Sequence, residues 1–209
     1  MTNKPWRVVA IAVAGTGVAA ALATSSSGAD RQARSTAVPP RPPRRLTGGR
    51  MHARPGAVRR GTAVARGDVF PTRVFAGARV GFALANVGAA QYPVRSLDGG
   101  RTWHIDGPQV HIDAADGAEG VGYAGVTGPR TFFAYGSSVV DVTTDGGRTW
   151  WEAYLGELVV AVVPGAGHKL IAYVQQQLAS NHIRPVTTWQ YVSGDGGRQW
   201  VYSPALGGR

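Results

Sequence analysis

Three aspartates, Asp98, Asp145 and Asp195, recur in one setting, and a carboxylate can serve as acid, base, nucleophile or calcium ligand. Each stands in an eight-residue run that ends on tryptophan. The runs are Ser96-Leu97-Asp98-Gly99-Gly100-Arg101-Thr102-Trp103, Thr143-Thr144-Asp145-Gly146-Gly147-Arg148-Thr149-Trp150 and Ser193-Gly194-Asp195-Gly196-Gly197-Arg198-Gln199-Trp200. The aspartates lie 47 and 50 residues apart, so residues 67–209 hold three units of about one size. In such a run aspartate accepts hydrogen bonds from backbone N–H groups two residues on and closes a hairpin turn. The glycines supply positive φ, which a side chain would penalise. The hydroxyl of Ser96, Thr143 or Ser193 can bond the returning strand. Trp103, Trp150 and Trp200 each give the turn an apolar anchor with an indole N–H that needs a partner. All of these roles are structural, and three equivalent copies argue for architecture over catalysis.

Other candidates are weaker. His111, Asp113, Asp116 and Glu119 gather in one segment. Oxygen-rich loops bind calcium, but this spacing matches no cation loop of known ligand order, and a solvated loop is expected. Phe82, Tyr92, Tyr123, Phe132, Phe133, Tyr135, Trp151, Trp189 and Tyr191 offer stacking surfaces for sugars or, in sheets of this composition, a core between sheets; the second use is expected. The chain lacks cysteine, a phosphate loop between strand and helix, zinc-ligand spacing and a serine nucleophile elbow, so no cofactor or metal is expected.

The elements that must position the turns are strands. Short runs rich in Val, Thr and aromatics, bounded by Gly and Pro, lie at 72–76, 79–85 and 92–96 before the first turn. Similar runs lie at 120–126, 131–135 and 138–143 before the second, and at 157–163, 169–174 and 187–193 before the third. A further short strand leaves each tryptophan. No segment carries a helical stripe; residues 175–184 read as an extended loop, with a helical turn as the alternative.

The formal net charge of +10 is unevenly placed. Residues 24–66 hold ten arginines and one acid, whereas residues 67–209 are nearly neutral at −1. A nucleic-acid partner is therefore not expected for the folded part. Residues 24–66 have almost no large apolar side chains and should be a disordered Arg/Pro-rich linker. Such a linker could attach to anionic envelope polymers or lipid head groups, or simply solubilise the chain; the simpler role is expected. Before it, Lys4 and Arg7 precede an uncharged run at 8–23 that ends Ala21-Leu22-Ala23. That describes a secretory signal peptide, cut after Ala23 or Ala29. The run is shorter than the roughly 20 apolar residues that span a bilayer. An extracytoplasmic or secreted location follows, with membrane contact only through the signal segment or the basic linker.

At the three runs quoted above the chain resembles the Asp-box repeat family, also called bacterial neuraminidase repeats. The S-x-D-x-G-x-T-W form is complete in the first; the second has Thr143 for Ser and the third Gln199 for Thr. The resemblance covers residues 67–209 and implies an all-β fold of three four-stranded antiparallel β-propeller-type blades, at about 67–106, 107–155 and 156–209. Closed propellers typically have about 4–8 blades, so this is an incomplete one. Sialidases in the family carry their first substrate arginine in an F/Y-R-I-P motif. Thr72-Arg73-Val74-Phe75 does not match it, and His182-Ile183-Arg184-Pro185 has the wrong order, so no catalytic residue carries over. The expectation is an exported, non-catalytic binding or scaffold module for a glycan or an envelope protein. The alternative is a sialidase-like glycoside hydrolase whose pocket is completed by oligomerisation. Three blades expose two apolar end faces, which predicts a homodimer, foremost a six-bladed paired ring, or docking on an envelope partner.

Overall fold

The computed structural model describes residues 42–110, 122–175 and 188–204. The expected signal segment, the acidic segment at 111–119 and most of the stretch at 175–184 lie outside the described residues. Among those described, the chain is all-β apart from one 3-10 turn at Arg66–Asp68, and it forms three five-stranded antiparallel sheets, none of them closed.

Four strands of each sheet follow one another in sequence. The first sheet has β4 (Val74–Ala76), β5 (Val80–Val87), β6 (Ala90–Ser96) and β7 (Trp103–Ile105). The second has β8 (Tyr123–Gly128), β9 (Thr131–Gly136), β10 (Val139–Thr143) and β11 (Trp151–Tyr154). The third has β12 (Leu158–Pro164), β13 (Leu170–Gln175), β14 (Thr188–Ser193) and β15 (Gln199–Ser203). Each repeated turn joins the third of these strands to the fourth.

For residues 42–66 the fifth strands correct the expectation of a disordered linker, and they correct that of four-stranded units; residues 24–41 of the expected linker lie outside the described residues. Residues 42–66 supply β1 (Arg45–Thr47), β2 (Gly49–Arg50) and β3 (Ala63–Val64). β1 pairs with β15, β2 with β11 and β3 with β7, so the segment runs along the outer edges of the third, second and first sheets in that order. Low apolar content predicts disorder when side-chain burial must supply the stability. Here the open N–H and C=O row of each edge strand supplies main-chain hydrogen bonds instead. The segment's few large apolar residues are placed economically. Leu46 lies opposite Trp200 and Val64 opposite Trp103, while Met51 donates its N–H to the carbonyl of Trp150 at 2.9 Å.

Gly48 carries this strap from the third sheet to the second. A Cβ there would stand 2.7 Å from the Gly197 carbonyl oxygen and 3.2 Å from that of Glu152. Gly48→Ala is therefore expected to cost about 1–3 kcal/mol through overpacking. Thermal unfolding checks this, and an unchanged midpoint would show that the strap does not clamp the two sheets.

The sheets pack face to face in chain order. Phe82 and Leu84 of the first meet Phe132, Ala134, Val139 and Trp150 of the second, with Phe82 and Phe132 stacked at 4.9 Å. Val140, Val142 and Leu155 of the second meet Leu170, Ala172, Val174, Tyr191 and Trp200 of the third. The aromatic residues expected between sheets are mostly there, although Tyr123 is exposed.

The two end faces differ. On the first sheet Ala83, Tyr92, Val94, Trp103 and Ile105 are buried beneath Ala57, Val58, Val64 and Val69. Val58 donates its N–H to the Tyr92 hydroxyl at 3.1 Å, and the Arg73 guanidinium lies 5.8 Å over the Trp103 ring. The third sheet has no such cover among the described residues. Val163, Ile171, Val192 and Val201 stand in register across its four strands on the side away from the second sheet. Val163 is 36 % exposed and Val201 43 %.

Candidate functional site

The repeated turns are held by their own polar groups. In the first, the Ser96 hydroxyl donates to Asp98 Oδ1 at 2.8 Å and accepts the Gly100 N–H at 2.8 Å. Asp98 also accepts the N–H groups of Arg101 and Thr102 at 3.0 Å and the Thr102 hydroxyl at 2.7 Å. Donors thus come from three and four residues on, not two, and the hydroxyl bonds the turn glycine instead of the returning strand. The third turn repeats this: Ser193 donates to Asp195 and accepts the Gly197 N–H, and Asp195 accepts the N–H groups of Arg198 and Gln199. In the second, Thr143 plays the serine's part, and Asp145 accepts the Thr149 N–H at 2.9 Å. The Thr102 N–H, with the hydroxyls of Thr102 and Ser96, holds the Asp98 carboxyl well below the usual range. For Asp145 burial pushes upward, but the Thr149 N–H and the hydroxyls of Thr143 and Thr149 outweigh it and its pKa is lowered. Carboxylates so engaged are turn closures, not free acids or bases.

The glycines do more than supply φ. Gly147 (φ 80°) and Gly197 (φ 91°) press against the preceding sheet. A Cβ on Gly147 would collide with the Asp106 carboxylate and carbonyl, and one on Gly197 would lie 2.6 Å from Val142 Cγ2. Each later turn therefore seats on the sheet before it. The indole N–H groups of Trp103 and Trp200 bond the second glycine's carbonyl in their own turns at 3.1 Å. That of Trp150 reaches across to the Asp106 carbonyl at 3.3 Å.

Asp106 is the polar hub of this junction, and sequence reasoning did not single it out. Its Oδ1 receives Arg60 Nη2 at 3.0 Å and Arg95 Nη2 at 3.3 Å. Arg60 also donates to the Gly146 carbonyl at 2.7 Å. One carboxylate thus joins the strap, the first sheet and the second turn. Burial raises its pKa against the pull of Arg95 and Arg60, and Oδ2 has no partner. Beside it lies a cavity of about 400 Å³ lined by Arg60, Arg95, Leu97 and His104. The position just after the strand that leaves Trp103 was the available signal. A second cavity of about 400 Å³ opens between the strap and the second turn. Asp141 is also buried between the first and second sheets; a lone acid within Val139–Thr143 was visible in the sequence.

Among the described residues, no group of three or more His, Cys, Asp or Glu side chains could hold a metal ion. No family model matches the chain, and neither a curated protein nor a solved structure matches it.

Proposed function

We propose that this chain is an exported, non-catalytic scaffold of three Asp-box-type propeller blades, which works by docking a protein surface, first of all a second copy of itself, on its third sheet. The supporting observation is the row Val163, Ile171, Val192 and Val201, left uncovered among the described residues while the matching face of the first sheet lies under residues 57–69. Uncovered apolar rows of this kind mark interaction surfaces in soluble proteins. Two third sheets meeting face to face form a closed, isologous pair. A six-bladed ring needs both end faces bare, so it would first have to displace the residues over Tyr92 and Trp103. The scaffold reading is preferred to a hydrolase because Asp106, the carboxyl beside a cavity, has one oxygen tied to two guanidiniums.

Sedimentation of the full chain over a range of concentrations tests this. A concentration-dependent dimer is expected, and Val192→Lys should abolish it while leaving the circular dichroism spectrum unchanged. A wild-type chain that stays monomeric at every concentration, or a variant that dimerises as before, would refute self-docking.

A further inference from the structure

The second cavity is a better-built site than its position in a supposed linker suggests. Four arginines border it: Arg50, Arg59 and Arg60 from the strap and Arg148 from the second turn. Among the described residues, no acidic side chain lines it. Arg60 is tied to Asp106, while no described acid pairs with Arg50, Arg59 or Arg148. Bringing like charges around one concavity costs electrostatic energy that an anion would relieve. Arginine suits this role because its planar fork grips carboxylate or phosphate through two parallel hydrogen bonds.

Part of the lining is of the opposite character. Met51, Val58 and Pro108 also line the cavity. The volume, about 400 Å³, falls within the usual range for small ligands. A ligand that fits carries a compact body with an apolar C–H face and an anionic substituent, which describes a sugar unit bearing a carboxylate or a phosphodiester. The surroundings extend the match along a chain. Arg45 lies on β1, and Arg198, beside the same outer edge, is 5.2 Å over the Trp151 ring. Cationic groups therefore follow the strap from the third sheet to the first. The exposed apolar residues Val163 and Val201 are on the third sheet's face and do not border the cavity, so a bilayer is not favoured.

We propose that the cavity bounded by Arg50, Arg59, Arg60 and Arg148 binds an acidic glycan chain, one sugar unit resting on Met51, Val58 and Pro108 with its carboxylate or phosphate on the guanidiniums. This site is separate from the third sheet's docking face and stands or falls independently of it.

Calorimetric titration of the full chain with polygalacturonate and with poly(N-acetylglucosamine 1-phosphate) tests the proposal and distinguishes the two anion sources. Neutral dextran, duplex DNA and phosphatidylglycerol vesicles complete the panel. One variant carries Arg50→Gln, Arg59→Gln and Arg148→Gln. A control carries Arg31→Gln, Arg34→Gln and Arg41→Gln, which removes the same charge from the segment before the strap. Binding of at least one acidic glycan is expected, weakened about tenfold or more in the first variant and less than about threefold in the control. Equal weakening in both variants, no binding of either glycan, or equal binding of DNA or vesicles would overturn it. Unchanged circular dichroism in the first variant shows that the loss is local, and unchanged sedimentation keeps the result distinct from self-docking.

Discussion

Gly147→Ala is expected to destabilise the protein by about 2–5 kcal/mol, combining the cost of a side chain at positive φ with that of overpacking. Its φ is 80°, and the added Cβ would occupy the place of the Asp106 carboxylate. Moving that carboxylate loosens Arg60 and Arg95 together, since both are held by its Oδ1. Gly56→Ala is the matching control: its φ is 79°, but nothing lies within 4 Å of the added atom. That change should cost only the backbone term, about 1–2 kcal/mol. Urea unfolding of the two variants measures the difference. Equal losses would mean that the second turn does not seat on the first sheet through Asp106.

Asp141→Val should act in the opposite direction. Asp141 is 0 % exposed in β10, and neither carboxylate oxygen has a partner. Burial, with the neighbouring charge of Glu152, raises its pKa well above the ordinary carboxylate value. A carboxyl raised on folding holds its proton more tightly in the native state. Its contribution to stability is therefore fully present below the unfolded value and is lost as pH rises through the folded one. Asp98 and Asp145 have the opposite sign: their contribution is present above 3.8 and lost as pH falls. Valine on a strand that already carries Val139, Val140 and Val142 removes the unpaired buried group at little change in volume. A gain of about 1–3 kcal/mol at neutral pH is expected, becoming smaller as the medium is acidified below the carboxylate range, where only the cost of burying the neutral carboxyl is left. Denaturant titrations at neutral and acidic pH check both. A loss of stability at neutral pH would show that the buried carboxyl has a favourable partner in solution.

Much of the all-β framework was legible in the residues. Runs such as 79–85, 131–135 and 169–174 became β5, β9 and β13 with shifts of one or two residues, because Val, aromatics and Thr between glycines describe a pleated, half-buried surface. Turn chemistry was legible too, since Gly99, Gly146 and Gly196 all adopt positive φ. The strap was not. Arg45, Gly49 and Ala63 join sheets through main-chain groups that every residue carries, so their side chains announced nothing. The inter-sheet role of Gly147 and Gly197 was equally hidden, because a missing Cβ shows its use only when the neighbouring sheet is in place. Asp106 acquired its partners from Arg60 and Arg95, which converge on it only after folding.

The pairing of Leu46 with Trp200 also sets an order of events in time. Leu46 and its neighbours must wait until Trp200 has been made before β1 has an edge to join. Contacts between such distant parts of a chain raise the entropic barrier and slow folding. Until β15 emerges, β1 has no edge to join and stays open to wrong partners, including another nascent chain. Completion of the strap thus waits on the third sheet, and a chain released before residue 200 would lack the strand partner on which β1 closes.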